Sequence, residues 1–279
     1  MKLLRYGNHG AEKPGILDAQ GRIRDLSQVV PDISAETLGD MSFLANLDLD
    51  ALPLVDGYPR LGACVAGVGK FMCIGLNYAD HAAESGQPVP TEPILFMKAN
   101  SAICGANEDI VIPRGAQKVD WEVELGVVIG RAAKHVTMEN ALDHVAGYCV
   151  VNDVSERSLQ LEGSGQWTKG KSCDTFGPIG PWLVTPDEVS DPQALSLWLE
   201  VNNQLVQSGS TATMVFDVAE LISYLSNLFT LHPGDLIATG TPPGVGMGMK
   251  PPRYLMAGDQ VKLGIGGLGV QSQSVAAEI

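Results

Sequence analysis

The sequence predicts an α+β fold that is mainly β, with short helices flanking the strands and a small N-terminal domain. Eight short segments between residues 71 and 264 are apolar, or alternate between apolar and polar residues, as strands do. One segment in that part, residues 217–228, combines an N-cap signal with a helical apolar stripe. Strands and helices do not alternate regularly, which argues against a Rossmann fold.

We predict a small N-terminal α+β domain over residues 1–66 and a larger main domain over residues 67–279. In the first domain, "KLLRY" predicts a strand, and "GILDA" and "RIRDL" predict a hairpin that turns at Gln20 and Gly21. The segment "SAETLGDMSFLANL" predicts a helix with Ser34 as its N-cap.

The main domain consists mostly of predicted strands. They are "FMCIG", "ILFMK", "DIVIP", "VELGVVIG", "AGYCVVN", "LWLEVNN", "DLIATG" and "QVKLG". The predicted helix over residues 217–228 begins with Asp217 and Glu220 as a capping-box-like pair. We interpret its apolar stripe as core packing without a chemical role.

Composition excludes several classes of partner. The 279 residues carry a net charge of −14, with 45% hydrophobic residues. Nucleic acids and anionic membrane surfaces select basic patches, so we expect neither as a partner. The five scattered cysteines contain no CxxC pair and predict reduced, mostly buried thiols.

With no signal-peptide core and no run long enough to span a bilayer, we expect a soluble, cytoplasmic protein.

Two acidic residues stand side by side at the start of the most apolar predicted strand. In "DWEVELGVVIG", Glu122 and Glu124 are two positions apart, so both side chains point to one face, about 7 Å apart. A half-exposed strand with a solvated acidic face explains the same alternation, and the pattern alone favours it. The continuous run "LGVVIG" instead predicts a strand covered on both faces, where two like charges need a counter-ion.

Asp153 adds a third carboxylate, at the end of the apolar segment "VAGYCVVND". Three carboxylates without a His or Cys cluster suit Mg²⁺, Mn²⁺ or Ca²⁺ rather than zinc. The alternative is that Asp153 only caps the following turn "VSERSL", and the spacing does not decide between the two.

Further polar residues lie in two clusters. In "GLNYADHAAESG", His81 and Glu84 are three positions apart on a short predicted helix that Gly86 ends. A carboxylate that orients a histidine is typical of a general base, although an ordinary surface pair is the commoner case for this spacing. In "GQWTKGKSCDTFGPIGPWL", Lys169 or Lys171 is either solvated or the positive charge that an anionic substrate needs.

Other segments are expected to surround the same place. Arg157 and Gln160 follow Asp153 and are expected to project toward the site from one turn. "TGTPPGVGMG" lacks GxGxxG spacing and is interpreted as a tight loop at a strand end, either a plain turn or a wall of the substrate pocket. "SLQLEGSGQWT" is interpreted as a loop near the site that shapes substrate choice.

Taken together, these segments resemble the fumarylacetoacetate hydrolase family from about Phe71 to the C-terminus. The motifs that carry the resemblance are "GLNYADHAAE", "DWEVELGVVIG", "GYCVVNDVSER", "GKSCDTFGPIGPWL" and "TGTPPGVG", in this order. The resemblance implies a mixed β-sandwich or roll with flanking short helices, usually in a homodimer, and makes residues 67–279 the catalytic domain.

The resemblance also implies roles for the site residues. It implies a divalent ion, Mg²⁺ or Mn²⁺ with Ca²⁺ as the third choice, on a set of three carboxylates. It further implies a water-activating dyad, a lysine that polarises the substrate, and a pocket lining. These residues are Glu122, Glu124 and Asp153 for the metal, His81, Glu84 and Lys171 for catalysis, and Arg157, Gln160, Gly240 and Thr241 for substrate binding.

The activity implied is hydrolysis of the C–C bond of a small anionic 2-oxo acid. The substrate would be a 2,4-dioxo acid, either an acylpyruvate or a 2,4-diketo-3-deoxy sugar acid, and the products pyruvate and a carboxylic acid. The His-x-x-Glu spacing is similar to the acylpyruvase-like branch. The N-terminal domain with "TGTPPGVGMGMKPPRYL" is similar to bacterial members labelled ureidoglycolate lyase or diketo-deoxy sugar-acid hydrolase.

Two alternatives remain at this stage. A ureidoglycolate lyase, or a decarboxylase or isomerase of a related 2-oxo acid, would use the same metal and enolate chemistry without a water nucleophile. A non-catalytic metal-binding scaffold is the other alternative. The presence of His81, Glu84 and Lys171 together argues against the scaffold, since it needs none of them.

Overall fold

A ten-stranded mixed sheet forms the centre of the fold in the computed structural model, which describes residues 1–278. The strands are β1 (Lys2–Tyr6), β2 (Lys13–Leu17), β3 (Ile23–Asp25), β4 (Phe71–Gly75), β5 (Ile94–Lys98), β6 (Ile103–Gly105), β7 (Ile110–Ile112), β8 (Val119–Asp120), β9 (Val123–Ile129), β10 (Val145–Asn152), β11 (Ser155–Glu156), β12 (Gly177–Val184), β13 (Ser196–Val201), β14 (Gln204–Ser210), β15 (Leu236–Ala238), β16 (Gln260–Ile265) and β17 (Gly269–Ala277). The α-helices are α1 (Ala35–Gly39), α2 (Ala79–Glu84), α3 (Met138–Ala141), α4 (Arg157–Leu161), α5 (Thr168–Lys171) and α6 (Val218–Leu228).

The large sheet packs against a smaller one. Its order is β3-β2-β1-β12-β10-β9-β15-β4-β5, with β6 paired to β12. A five-stranded sheet of order β14-β13-β16-β17-β7 lies against it, and β8 pairs with β11 separately. This architecture confirms the predicted mainly β, α+β fold class.

Strand β9 lies in the middle of the large sheet and is buried on both faces. Val123, Leu125 and Val127 contribute to the core that also contains Leu199 and Leu263 of the smaller sheet. Val128 points the other way, into a second apolar cluster. The prediction of a doubly covered strand is therefore correct, and Glu124 lies on the same face as Val128 because side chains alternate.

The pairing of β9 with β10 positions the third carboxylate. These strands are antiparallel, and Asn152 stands opposite Val123. One position beyond, the N–H of Asp153 donates a hydrogen bond to the carbonyl oxygen of Glu122 at 2.9 Å. The register therefore places Asp153 beside Glu122, although the two are far apart in the chain.

The N-terminal strands extend the large sheet. β2 and β3 form the predicted hairpin, and β1 pairs antiparallel with β12. The predicted helix over residues 34–47 is shorter than expected. It ends at Gly39, and Ser42–Asn46 forms a separate 3₁₀ turn, because Asp40 is extended and its side chain accepts a bond from Ser42 N–H at 3.0 Å. The domain division at residue 66 stays a prediction.

The cap of α6 was predicted correctly from the sequence, whereas strand β12 was not predicted. The side chain of Asp217 caps α6 by accepting a bond from Glu220 N–H at 2.7 Å, as predicted. Strand β12 was not predicted, because Pro178, Gly180 and Pro181 interrupt a pattern that otherwise indicates a strand. All five cysteines are free thiols, and four of them are buried. No helix within residues 1–278 is long and apolar enough to span a bilayer.

Candidate active site

The carboxylates of Glu122, Glu124 and Asp153, named here the carboxylate centre, lie together in the interior. One oxygen from each lies within 4.8 Å of one from each of the others. All three side chains are buried. The solvated acidic face that the pattern alone favoured is therefore not what forms.

Basic side chains surround this centre. Lys171 Nζ donates to Glu122 Oε2 and to Asp153 Oδ2, each at 2.6 Å. Arg157 Nη2 donates to Glu122 Oε1 at 2.7 Å. Lys98 Nζ also donates to Asp153 Oδ1, and to the carbonyl oxygen of Val154 at 3.1 Å.

The three carboxylates differ in electrostatic environment. Burial alone would raise the pKa of Glu122, but Lys171 and Arg157 beside it hold that pKa well below its usual range. Burial, followed by the neighbouring charges of Asp153 and Glu122, raises the pKa of Glu124 well above its ordinary value. Among the described residues no lysine or arginine bonds Glu124, whose Oε2 accepts only the N–H of Gly240, at 2.9 Å.

The donor set fits a hard divalent cation. The carboxylate centre, its basic partners and Asp120, which also bonds Arg157, together comprise four buried carboxylates and three buried basic side chains. These groups are Asp120, Glu122, Glu124 and Asp153 against Lys98, Arg157 and Lys171. Glu124 is the one of these four carboxylates without a basic partner among the described residues, and a set of oxygen donors alone suits Mg²⁺, Mn²⁺ or Ca²⁺ rather than zinc. Residues of this chain are therefore suited to hold such an ion.

Arg157 is fixed by three partners. Its Nε donates to Asp120 Oδ2 at 2.8 Å, and its Nη1 donates to Gln160 Oε1 at 2.9 Å. Asp120 also accepts the N–H groups of Gly246 at 2.7 Å and Met247 at 3.0 Å. Asp120 thus links the arginine to the glycine-rich loop after β15.

His81 and Glu84, named here the dyad, lie on α2. His81 Nδ1 is 3.3 Å from Glu84 Oε2, and His81 is buried. Burial alone would raise the pKa of Glu84, but the hydrogen bonds from His81 and the Gly244 N–H lower it below its ordinary value. Asn77 anchors the start of this region, since its amide donates to the carbonyl oxygens of Phe216 and Thr239 at 3.0 and 2.8 Å.

The loop "TGTPPGVGMG" forms part of a cavity wall, which favours the second of its two interpretations, while its contact with a substrate stays a prediction. Thr241 and Met247 line the cavity next to the carboxylate centre. Gly244 has a φ of +106°, and a Cβ there would meet the carbonyl oxygen of Val206 at 1.9 Å. Only glycine fits this position, and its N–H is the donor that holds Glu84 at 3.1 Å.

A cavity of about 370 Å³ brings the predicted residues together. Those that line it are His81, Glu122, Glu124, Arg157, Gln160, Lys171 and Thr241. The other three stand directly behind them, with Glu84 bonded to His81, Asp153 to Lys171 and Gly240 to Glu124. The alternative lysine, Lys169, is exposed and does not line the cavity.

Sequence reasoning missed two charged residues of the site. Lys98 is the last residue of the predicted strand "ILFMK", and the strand pattern did not show that its side chain points inward. Asp120 was placed on the polar side of an alternating pattern. Lys98 does stand directly at the end of an apolar run, which is a signal that could have found it, whereas Asp120 has no comparable local signal.

Comparison with known proteins identifies relatives along the whole chain. The family described as "Fumarylacetoacetate (FAA) hydrolase C-terminal" matches residues 70–276. A protein of Burkholderia multivorans named "Putative hydrolase" is 65% identical over 280 residues, which is 99% of each chain. These matches confirm the resemblance on which the site residues were assigned.

Solved structures show the same fold. Fumarylacetoacetate hydrolase from Exiguobacterium antarcticum has 39% identity and a TM-score of 0.89, with 100% of both chains covered. A probable 2-hydroxyhepta-2,4-diene-1,7-dioate isomerase from Mycobacterium abscessus has 32% identity and a TM-score of 0.86, with 100% of both chains covered. Maleylpyruvate hydrolase from Sphingobium sp. SYK-6, in complex with manganese and pyruvate, has 28% identity and a TM-score of 0.85, with the same coverage.

Proposed function

This chain belongs to the fumarylacetoacetate hydrolase family, and we propose that it hydrolyses the C–C bond of a 2,4-dioxo acid, with Mg²⁺ or Mn²⁺ as cofactor. The family assignment makes it an enzyme, a hydrolase or an isomerase. One observation carries the finer proposal: a carboxylate-oriented histidine and a cation-backed carboxylate centre line the same cavity. The first can activate water and the second can hold the anionic end of a 2-oxo acid.

The anionic end of the substrate would bind at the carboxylate centre. Glu122, Glu124 and Asp153 would hold the divalent ion, which when bound supplies Lewis-acid polarisation of the substrate's carboxylate and 2-oxo oxygens. Lys171 and Arg157 add positive charge at the same end, which offsets the repulsion from the net charge of −14. The manganese and pyruvate in the maleylpyruvate hydrolase structure are consistent with this binding mode.

His81 would act as the general base on water. If Nδ1–H donates to Glu84, the other ring nitrogen is free to accept a proton from a water molecule. The hydroxide attacks C4, the C3–C4 bond breaks, and its electron pair goes to C3 as a pyruvate enolate. Lys171 stabilises the enolate charge, and protonation of C3 gives pyruvate while C4 leaves as a carboxylic acid.

A direct test is pyruvate release from a panel of 2,4-dioxo acids by metal-stripped protein, with and without Mg²⁺ or Mn²⁺. We expect pyruvate only when the metal is present. His81→Ala should lower kcat roughly 10²–10⁴-fold, the range for loss of a general base, without changing Mn²⁺ affinity measured by calorimetry.

His144→Ala is the matched control, because His144 is half-buried, does not line the cavity, and bonds through Nδ1 to the carbonyl oxygen of Arg131. Its activity should equal that of the wild type. Near-normal pyruvate release by His81→Ala would refute the general-base role. Absence of pyruvate from every acid, with metal bound, would favour the isomerase, decarboxylase or ureidoglycolate lyase alternatives instead.

A cytoplasmic homodimer remains part of this proposal. Free thiols, four of them buried, are consistent with a reducing compartment. Light scattering coupled to size-exclusion chromatography would test the dimer.

A further inference from the structure

We propose that the cavity selects 2,4-dioxo acids whose C4 substituent is neutral and apolar, and that it disfavours a second carboxylate there. This inference rests on the proposed function, because it concerns the part of the substrate beyond the bond that is cleaved. It concerns the segment "SLQLEGSGQWT", which was expected to shape substrate choice.

One side of the cavity is an apolar surface, named here the aromatic wall, formed by Gly75, Ile94, Phe96 and Trp167. The rings of Phe96 and Trp167 are in edge contact, with centroids 5.3 Å apart. Ile94 stands opposite Gly75 in the pairing of β5 with β4. Three separate parts of the chain therefore build one continuous surface.

Gly75 is what allows Trp167 to lie there. A Cβ at position 75 would meet the indole ring of Trp167 at 2.3 Å. The indole therefore occupies the space next to the Cα of Gly75, where any larger residue would displace it. The indole of Trp167 is therefore a packed part of the aromatic wall.

Phe96 connects the wall with the catalytic end of the cavity. Lys171 Nζ lies 5.1 Å from the centroid of the Phe96 ring, and the same ring is in edge contact with Trp167. A substrate whose 2-oxo acid end reaches Lys171 would therefore extend its C4 substituent along the aromatic wall. Aromatic and aliphatic groups are the chemistry that such a surface stabilises.

The cavity lining offers no free cation to a second carboxylate. Its lysine and arginine residues, as far as residues 1–278 show, are Lys171 and Arg157. Each already donates to Glu122 at 2.6–2.7 Å. A distal carboxylate would be moved out of water without an ionic partner, in a protein of net charge −14.

Neutral polar side chains do occur in the lining, at Ser85 and Gln87 as well as at Gln160 and Thr241. The Ser85 hydroxyl is buried and has no hydrogen-bond partner in the described part of the chain. It can bond one neutral oxygen of a substrate but does not neutralise a charge. The dioate named for the Mycobacterium abscessus isomerase carries two carboxylates, so this chain would differ from that relative in specificity.

The test compares two acids with the same number of carbons, 2,4-dioxoheptanoate and 2,4-dioxoheptanedioate, in the presence of Mn²⁺. They differ only in a terminal methyl or carboxylate group. We expect kcat/KM for pyruvate release to be at least about tenfold higher for the first. Faster cleavage of the dioate would overturn this proposal while leaving the proposed function intact. No pyruvate from either acid, with Mn²⁺ bound, would overturn both.

Two leucines of α4 offer a matched pair of variants. Leu161 lines the cavity and Leu159 does not, although the two are 44% and 43% exposed. Leu161→Arg should narrow or reverse the preference between the two acids, because it supplies the missing cation. Leu159→Arg should leave the preference unchanged. An equal effect of both variants would show that charge alone, and not the cavity lining, sets the ratio.

A third variant tests the same proposal without introducing a charge, in case the arginine variants do not fold. Trp167→Ala should lower kcat/KM for the methyl-ended acid more than for the dioate, since it removes apolar surface and no charge. Mn²⁺ affinity, which depends on other residues, should stay unchanged. An equal loss for both acids would contradict the role of the aromatic wall.

Discussion

The carboxylate centre and the dyad face the same cavity but are held in different ways. Glu122 and Asp153 are fixed by strand register and by several buried cations. The dyad lies on a six-residue helix, and its two members share one contact of 3.3 Å. A tightly bonded sheet positions the charges of the proposed metal site, whereas a short helix positions the histidine proposed as the general base.

The difference has a physical cause. Like charges brought together in the interior repel one another, so the carboxylate centre requires the compensating basic side chains Lys98, Arg157 and Lys171 around it. A neutral histidine needs only one orienting partner and a short path to water. We therefore expect mutations in the network to affect stability and binding, and mutations in the dyad to affect chemistry.

The largest effect is expected for Lys171→Met in metal-free protein. It removes the cation shared by Glu122 and Asp153, and should lower the free energy of unfolding by about 3 kcal/mol. Urea denaturation in EDTA would measure this. Added Mg²⁺ should narrow the difference, because the ion supplies positive charge to the same carboxylates.

Lys118→Met is the control for this prediction, since Lys118 and Glu162 form an exposed pair, with side chains 42% and 63% exposed. Lys118→Met should lower the free energy of unfolding by less than about 1 kcal/mol, with or without Mg²⁺. If Lys171→Met and Lys118→Met lower the free energy of unfolding equally, the buried network is no more important for stability than an exposed ion pair.

An intermediate effect is expected for Asp120→Asn, because among the described residues Asp120 forms no hydrogen bond with the dyad or with the three centre carboxylates. The substitution weakens the orientation of Arg157, and kcat/KM or Mn²⁺ affinity should fall roughly 10–100-fold, as for other residues that position ligands. Steady-state kinetics and calorimetry would measure the two quantities.

Asp18→Asn is the comparison for that variant. Asp18 is also a buried carboxylate, bonded to Arg22 and Arg24 at 2.9 and 3.0 Å, but it belongs to the N-terminal hairpin. It should lower thermal stability while leaving kcat/KM unchanged. A loss of activity equal to that of Asp120→Asn would indicate a general stability effect.

The smallest effect concerns the acid stability of the dyad. The pKa of Glu84 in the folded protein is lowered from its ordinary value of 4.5, against the opposing effect of burial. Ionised Glu84 therefore contributes stability above that value, and the contribution is lost as the pH falls through it toward the folded pKa. Glu84→Gln removes this contribution.

We expect the difference in unfolding free energy between wild type and Glu84→Gln to be on the order of 1 kcal/mol at neutral pH. It should shrink as the pH is lowered from about 6 to about 3.5. Chemical denaturation at several pH values would measure it. A difference that stays constant over this range would show that Glu84 is not stabilised in its ionised form.

Much of the fold could be predicted because strands and caps have local signals. Alternation and apolar runs located β4, β5, β9 and β10, and Asp217 located the start of α6. Strand β12 was not predicted because its prolines and glycine obscure the local pattern. It forms through antiparallel pairing with β1 and β10. The helix after Ser34 was overestimated because the break at Asp40 depends on one side-chain bond.

The sequence by itself determined that acidic residues lie next to strongly apolar strands and that a histidine and a glutamate share a helical face. Tertiary structure decided which charges pair, since Lys98 reaches Asp153 and Asp120 reaches Arg157 only after the strands and helices have packed. It also decided that Trp167 lies on Gly75, a contact that no local pattern predicts. The periodicity that predicts strands and helices depends on residues close together in the sequence. Charge compensation and cavity walls instead depend on residues that come into contact only in the folded chain.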